Sequence, residues 1–433
     1  MKIAGADPDF HRRDLYEAIQ RGDYPEWDFG VQLFTEEQAA EFPFDHLDAT
    51  KLIPEELVPV QIVGRMVLDR WPDNFFAETE QVAFCPANIV PGIDFSDDPL
   101  LQGRLFSYLD TQLLRLGGPN FHQIPVNAPQ CPFANQQRDG HMQMGRPKGR
   151  VAYEPSSLQD DAPRETPAGY RSLAAVAGEG GKTRVRAQSF ADHHSQARLF
   201  WRSQSAVEQA HIAHALVFEL SKVETPAVRE RVVGHLRLID ADLAQRVADG
   251  LGLAGLPPAA QAAVETQDLP PSPALRLIGK NKPTLRGRQI GLLIDDGSDG
   301  AAIAALRTAI EAEGATVKLV APKIGGIKPS GGKPLAADGK LDGTPSVIFD
   351  AVALLLAPAA GARLAAEAAA VDWVRDAFGH LKAIAFDEGA SALIESAGIG
   401  TDAGVIGAAN IKAFLKQAAT RQWAREPTLR TLP

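Results

Sequence analysis

At 433 residues the chain is too long for one ordinary domain and implies two or three. Hydrophobic residues make up 45% and charged residues 23%, an ordinary globular balance, and the net charge of −10 argues against general attraction to nucleic acid or an anionic membrane. No apolar run reaches membrane-span length and the charged N-terminus lacks an apolar signal core. The two cysteines, Cys85 and Cys131, make no disulfide framework, so a reducing cytoplasm is the expected compartment.

Residues 1–165 hold most of the aromatics and many irregular stretches. DFHRRDLYEAIQRG reads as a short helix with Asp9 as N-cap and Gly22 near its end. Short apolar pieces follow, VPVQIVGRMVL and FAETEQVAF. PLLQGRLFSYLDTQLLRLGG then reads as a helix starting near Pro99 and stopped by Gly117 and Gly118. NFHQIPVNAPQCPFANQQRDGHMQMG suits an extended segment packed on something else. Residues 166–188, with GEGGK, read as an exposed loop, and residues 189–255 as helices with apolar positions three and four apart. Residues 256–286, with two PP pairs, read as a linker. Residues 287–433 alternate buried strands (QIGLLID, TVKLVAP, AVALLLAP, LKAIAFD) with helices, the pattern of a parallel sheet covered on both faces.

The helix RLFSYLDTQLLRL carries an unusual face. Arg104 lies one turn before Tyr108, Thr111 and Gln112 one turn after it, and Arg115 a turn further. A permanently charged guanidinium beside a phenol favours the phenolate, a hard anionic ligand suited to ferric iron. Spacing alone favours a plainer reading, a surface cluster with a snorkelling ring.

RLFSYLDTQLLRLGGPNF nevertheless resembles the proximal haem-ligand signature of haem catalases. So do GADPDFHRRDLYEAI, KLIPEELVPVQIVGRMVLDRWPDNFFAETEQVAF, NIVPGIDFSDDPLLQGR and CPFANQQRDGHMQMG, in the same order, the likeness running over roughly residues 1–255. The appended α/β unit and Gln112 resemble the large-subunit branch, whose C-terminal domain is flavodoxin-like or amidotransferase-like. The fold implied is multidomain α+β: the C-terminal part of the catalase core, with partial barrel and wrapping segment (1–165), a helical domain (189–255) and an α/β flavodoxin-like domain (287–433). The resemblance implies Tyr108 as axial ligand of a haem of b or d type, Arg104 holding it as phenolate, Gln112 beside the haem and Arg115 pairing with a propionate. The implied activity is disproportionation of hydrogen peroxide to water and dioxygen in oxidative-stress defence. The implied assembly is a homotetramer interlocked through residues 120–165.

The family's distal histidine and asparagine have no counterpart among His11, His46, His122, His141, His193, His194, His211, His214, His235 and His380 or their surroundings. The expectation is therefore an N-terminally truncated portion with little activity alone. The alternatives are a non-enzymatic fragment or a haem-binding remnant without turnover. The resemblance also implies that large-subunit catalases can have, at the place of Cys85, a reactive side chain joined to the ligand tyrosine's β-carbon. A Cys85–Tyr108 thioether and a simple buried thiol both remain open, and Cys131 reads as structural. In the α/β domain, Asp295, Asp296 and Asp299 would repel a phosphate. The turn Phe386–Asp387–Glu388 lacks the cysteine of an amidotransferase, so no catalysis is expected there and a structural or chaperone-like role is.

Overall fold

The structure is a computed structural model that describes residues 2–90, 92–118, 120–130, 143, 148–151, 153, 155–158 and 188–429. Cys131, His141, the 166–187 stretch of the expected loop and most of the wrapping segment lie outside the described residues. Two compact units are found: residues 29–64 with 70–193, and residues 1–28, 65–69 and 194–433. The expected boundaries differ from this division. Residues 1–28 and 65–69 go with residues 194–433, the unit that holds both the helical and the α/β segments.

Two strands, β1 (Glu26–Val31) and β2 (Gln61–Val67), form a two-stranded sheet. The apolar piece QIVGRMV is thus a strand, and every one of its residues is exposed, on both faces of the pleat. FAETE, Phe76–Glu80, winds as a π-helical turn. The helix Phe10–Gln20 has Asp9 at its N-cap without a capping side-chain bond.

The larger unit is built around a six-stranded parallel sheet. Its strands are β3 (Gln289–Ile294), β4 (Thr316–Ala321), β5 (Gly339–Lys340), β6 (Ala351–Leu355), β7 (Ile384–Phe386) and β8 (Val405–Gly407). Their spatial order is β5-β4-β3-β6-β7-β8. β3 and β6 are continuous apolar runs because both faces are covered. Ile290, Leu292 and Ile294 face the helices Gly300–Ala312 and Ile411–Ala418. Leu293, Val352 and Leu354 face Ala368–Gly379 and Ser391–Ala397.

The acids expected to repel a phosphate have local work. Asp299 caps Gly300–Ala312 by accepting from Ala301 N and Ala302 N, and buried Asp295 pairs with Arg363. At the turn after β7, Asp387 accepts from Leu356 N at 2.9 Å and Ala390 N at 3.0 Å. Burial, opposed by those N–H groups, pushes its carboxyl up.

Four helices, Ser195–Ser203, Ala206–Ser221, Pro226–Ile239 and Ala241–Gly250, pack around Trp201, Val233, Leu243 and Val247. Ala206–Ser221 begins with a capping box between Ser205 and Glu208. The stretch 256–286 is a strap rather than a free linker. Ala260 N bonds Gly234 O at 3.0 Å, Gln267 N bonds Ser195 Oγ at 2.8 Å, and Ser272 N bonds Ser203 Oγ at 2.7 Å. A Cβ on Gly234 would lie 2.8 Å from Pro258 O, so only glycine admits the strap this close.

Candidate functional site

Local chemistry fixes the helix that carries the site. Asp98 caps it by accepting from Leu100 N at 2.8 Å, Pro99 supplies a pre-set first residue, and Gly117 ends it with φ 86°. Over Pro99–Leu116 only Gln112 is buried.

On that helix Arg104 and Tyr108 meet. Arg104 Nη2 donates to Tyr108 Oη at 3.2 Å, and its Cζ lies 5.0 Å from the ring centroid. The i, i+4 spacing brings one donor fork onto one phenol oxygen and part of the same guanidinium over the ring. Phe84 packs its ring edgewise on Tyr108, with centroids 6.0 Å apart at 68°.

Gln112 and Arg115 do something different. Gln112 Nε2 donates to Phe84 O at 3.2 Å. Arg115 donates to Glu80 O, to Val82 O at 2.6 Å and to Gln112 Oε1 at 2.8 Å. The two side chains staple residues 80–84 to the helix, and this holds Phe84 against Tyr108. Sequence reasoning placed both residues on the face of Tyr108 and did not find the staple, because its partners lie about thirty residues upstream.

Cys85 follows Phe84 directly and is half-buried and unbonded to another cysteine; burial pushes its thiol up. His122, just beyond the helix, is buried. Its Nε2 lies 2.5 Å from Gln143 O, which makes that nitrogen the N–H donor, while Nδ1 is buried with no partner among the described residues. In the sequence it was one histidine of ten, with no pattern to mark it.

Among the described residues no group of three or more His, Cys, Asp or Glu side chains could hold a metal ion. What the site offers is a single phenol oxygen held by a guanidinium. That donor set fits an ion whose other ligands come from elsewhere, as the four porphyrin nitrogens of haem do.

The comparisons with known proteins agree with one another. The family model described as catalase matches residues 1–160, that of catalase-related immune-responsive proteins residues 187–251, and that of the C-terminal domain found in long catalases residues 286–421. The chain belongs to the catalase family, in its long, large-subunit form. It is 55% identical to catalase C of Rhizobium meliloti over 99% of its own length, 48% identical to catalase HPII of Pseudomonas aeruginosa over 100%, and 45% identical to catalase-2 of Bacillus subtilis over 98%. It spans 62% of the length of each of these relatives. No helix among the described residues is long and apolar enough to cross a membrane.

Proposed function

We propose that this chain carries the haem-holding side of a catalase whose substrate is hydrogen peroxide. The observation that carries the reading is the contact between Arg104 Nη2 and Tyr108 Oη at 3.2 Å on a helix with the family's signature. Haem, when bound, supplies the redox chemistry that turns two hydrogen peroxide molecules into two waters and one dioxygen.

The chain's own residues prepare a place for it. Tyr108 Oη would be the oxygen that holds the haem iron. Arg104 donates to it and balances the negative charge it carries as a ligand. The staple of Gln112 and Arg115 fixes Phe84 edge-on to the Tyr108 ring, which limits how far the phenol can tilt. Three of Arg115's five N–H groups serve that staple, so two remain for a propionate carboxylate.

Finer points of the reading follow. With the two-residue β5 set aside, the order β4-β3-β6-β7-β8 is 2-1-3-4-5 along the domain and supports a flavodoxin-like domain over 287–433, with a structural role. A Cys85–Tyr108 thioether belongs to the same reading, Cys85 following the Phe84 whose ring packs on Tyr108. The long-catalase likeness supports a homotetramer.

The test is spectroscopic. Haemin added to the purified chain should give a ferric tyrosinate spectrum that Tyr108→Phe abolishes. An identical spectrum from both proteins would remove Tyr108 as the ligand.

A further inference from the structure

A cavity of about 520 Å³ opens within the larger unit, where helix Ala206–Ser221 and the strap at 277–281 face the C-terminal end of the chain. It is of the size that small ligands occupy. Arg288 and Arg421 form one side and Trp423 and His211 another.

The cationic side is undercompensated. Arg288 Nη1 and Arg421 Nη2 lie 3.5 Å and 3.4 Å from the same oxygen, Asp350 Oδ1. Both distances are long for a charge-assisted bond, which settles near about 2.8 Å. Each guanidinium is otherwise tied by one backbone carbonyl, Thr284 O at 2.6 Å for Arg288 and Asp350 O at 2.8 Å for Arg421. Behind them, buried Lys382 donates to Ser346 O at 2.9 Å, to Val347 O at 2.6 Å and to Phe349 O, the residue before Asp350. Two guanidiniums thus share one carboxylate oxygen, in a chain whose net charge is −10, while burial lowers the Lys382 ammonium behind them to about 7. Burial lowers the Arg421 guanidinium from its ordinary value; Asp350 opposes this and Arg288 adds to it.

The other acids near the cavity are already engaged. Glu208 accepts from Ser205 N and Oγ and from Leu277 N and Ile278 N. Glu426 is buried beneath His211 and bonds its Nε2. The aromatic side is half-open: His211 and Trp423 have centroids 6.3 Å apart and are tilted at 52°, and neither ring is fully buried.

We propose that this cavity binds a small aromatic anion, a ring bearing a carboxylate or a phosphate. Its oxygens bridge Arg288 and Arg421 and its ring lies against Trp423. Two planar forks sharing one weakly held acceptor match a two-oxygen anion. An indole beside them rewards a flat apolar body on the same molecule.

Calorimetric titration of the full chain with phenyl phosphate, benzoate and inorganic phosphate tests this. One of the two aromatic anions should bind with one-site saturation, and which of them binds names the head group. Inorganic phosphate should bind more weakly. Arg288→Gln should weaken binding by roughly tenfold to a hundredfold, the effect of losing a hydrogen bond to a charged group. Trp423→Leu should bring the aromatic anion down to the level of inorganic phosphate. Arg288 is a suitable target because β3 and its core lie beyond it, and an unchanged thermal midpoint certifies the fold of each variant. Absence of saturable binding by both aromatic anions at millimolar concentration overturns the proposal. Equal binding by wild type and correctly folded Arg288→Gln overturns it too, and so does inorganic phosphate binding as tightly as the aromatic anions.

Discussion

Replacing Glu208 by glutamine should unlatch the strap from the helical core. Its carboxylate accepts four hydrogen bonds: Ser205 N at 2.9 Å, Ser205 Oγ at 2.7 Å, Leu277 N at 2.7 Å and Ile278 N at 3.0 Å. Burial alone would raise this carboxyl, but the Ile278, Ser205 and Leu277 donors outweigh it and hold the group down from 4.5 to about 2. At about 1.4 kcal/mol per pH unit, the ionised form contributes on the order of 3 kcal/mol relative to the protonated one. Because the folded value lies below the unfolded one, that stability is fully present above about pH 5. It falls away between about 4.5 and 2 as the carboxyl takes up its proton. Glutamine keeps one acceptor but turns an NH2 toward N–H donors, and that loses most of the term. The readout is hydrogen exchange at the Leu277 and Ile278 amides. At neutral pH it should speed up by about two orders of magnitude in Glu208→Gln, the equivalent of about 3 kcal/mol of local opening. The gap between the proteins should shrink as pH drops toward 3, after correction for intrinsic exchange rates. A gap of less than threefold at neutral pH, or one of the same size at pH 3, would refute the reasoning.

Two further outcomes are expected. Gly389→Ala should destabilise the α/β core by about 1–3 kcal/mol in denaturant unfolding, because its Cβ would press into Leu356 O at the turn after β7; a shift below about 0.5 kcal/mol would show that the turn yields freely. If the Cys85–Tyr108 thioether forms, it removes one hydrogen from the thiol and one from the tyrosine β-carbon, with one hydrogen peroxide reduced to two waters. Peptide mapping of haem-loaded, peroxide-treated protein should then find a joined peptide lighter by two hydrogens than its parts, whereas separate Cys85 and Tyr108 peptides would exclude the bond.

What could be read from the sequence depended on how far apart the interacting residues lie. β3 and β6 were legible because a strand covered on both faces is a continuous apolar run that needs no knowledge of its neighbours, and β4 through its buried end Leu319–Ala321. β5, two residues with a glycine, and β8, three residues ending in one, carry no such signal and exist only because β4 and β7 offer them an edge. The 256–286 stretch was misjudged for the same reason. Its prolines report irregular backbone correctly, yet the bonds that pin it come from partners about seventy residues away, such as Glu208 to Ile278.

The site divides along the same line, and the division bears on how a haem titration is to be understood. Arg104 and Tyr108 are four residues apart on one helix, so their contact follows from helical geometry and needs only the caps at Asp98 and Gly117. The Gln112–Arg115 staple needs residues 80–84 in place, and those follow β2, a strand exposed along its whole length in a sheet of only two strands. A two-stranded sheet is marginal by itself. The Arg104–Tyr108 contact is therefore the robust part of the site and the wall behind it the fragile part. A haem spectrum that depends on Tyr108 should weaken and broaden in Arg115→Gln, which removes both the staple and the proposed propionate partner; an unchanged spectrum would show that neither helps to hold the haem.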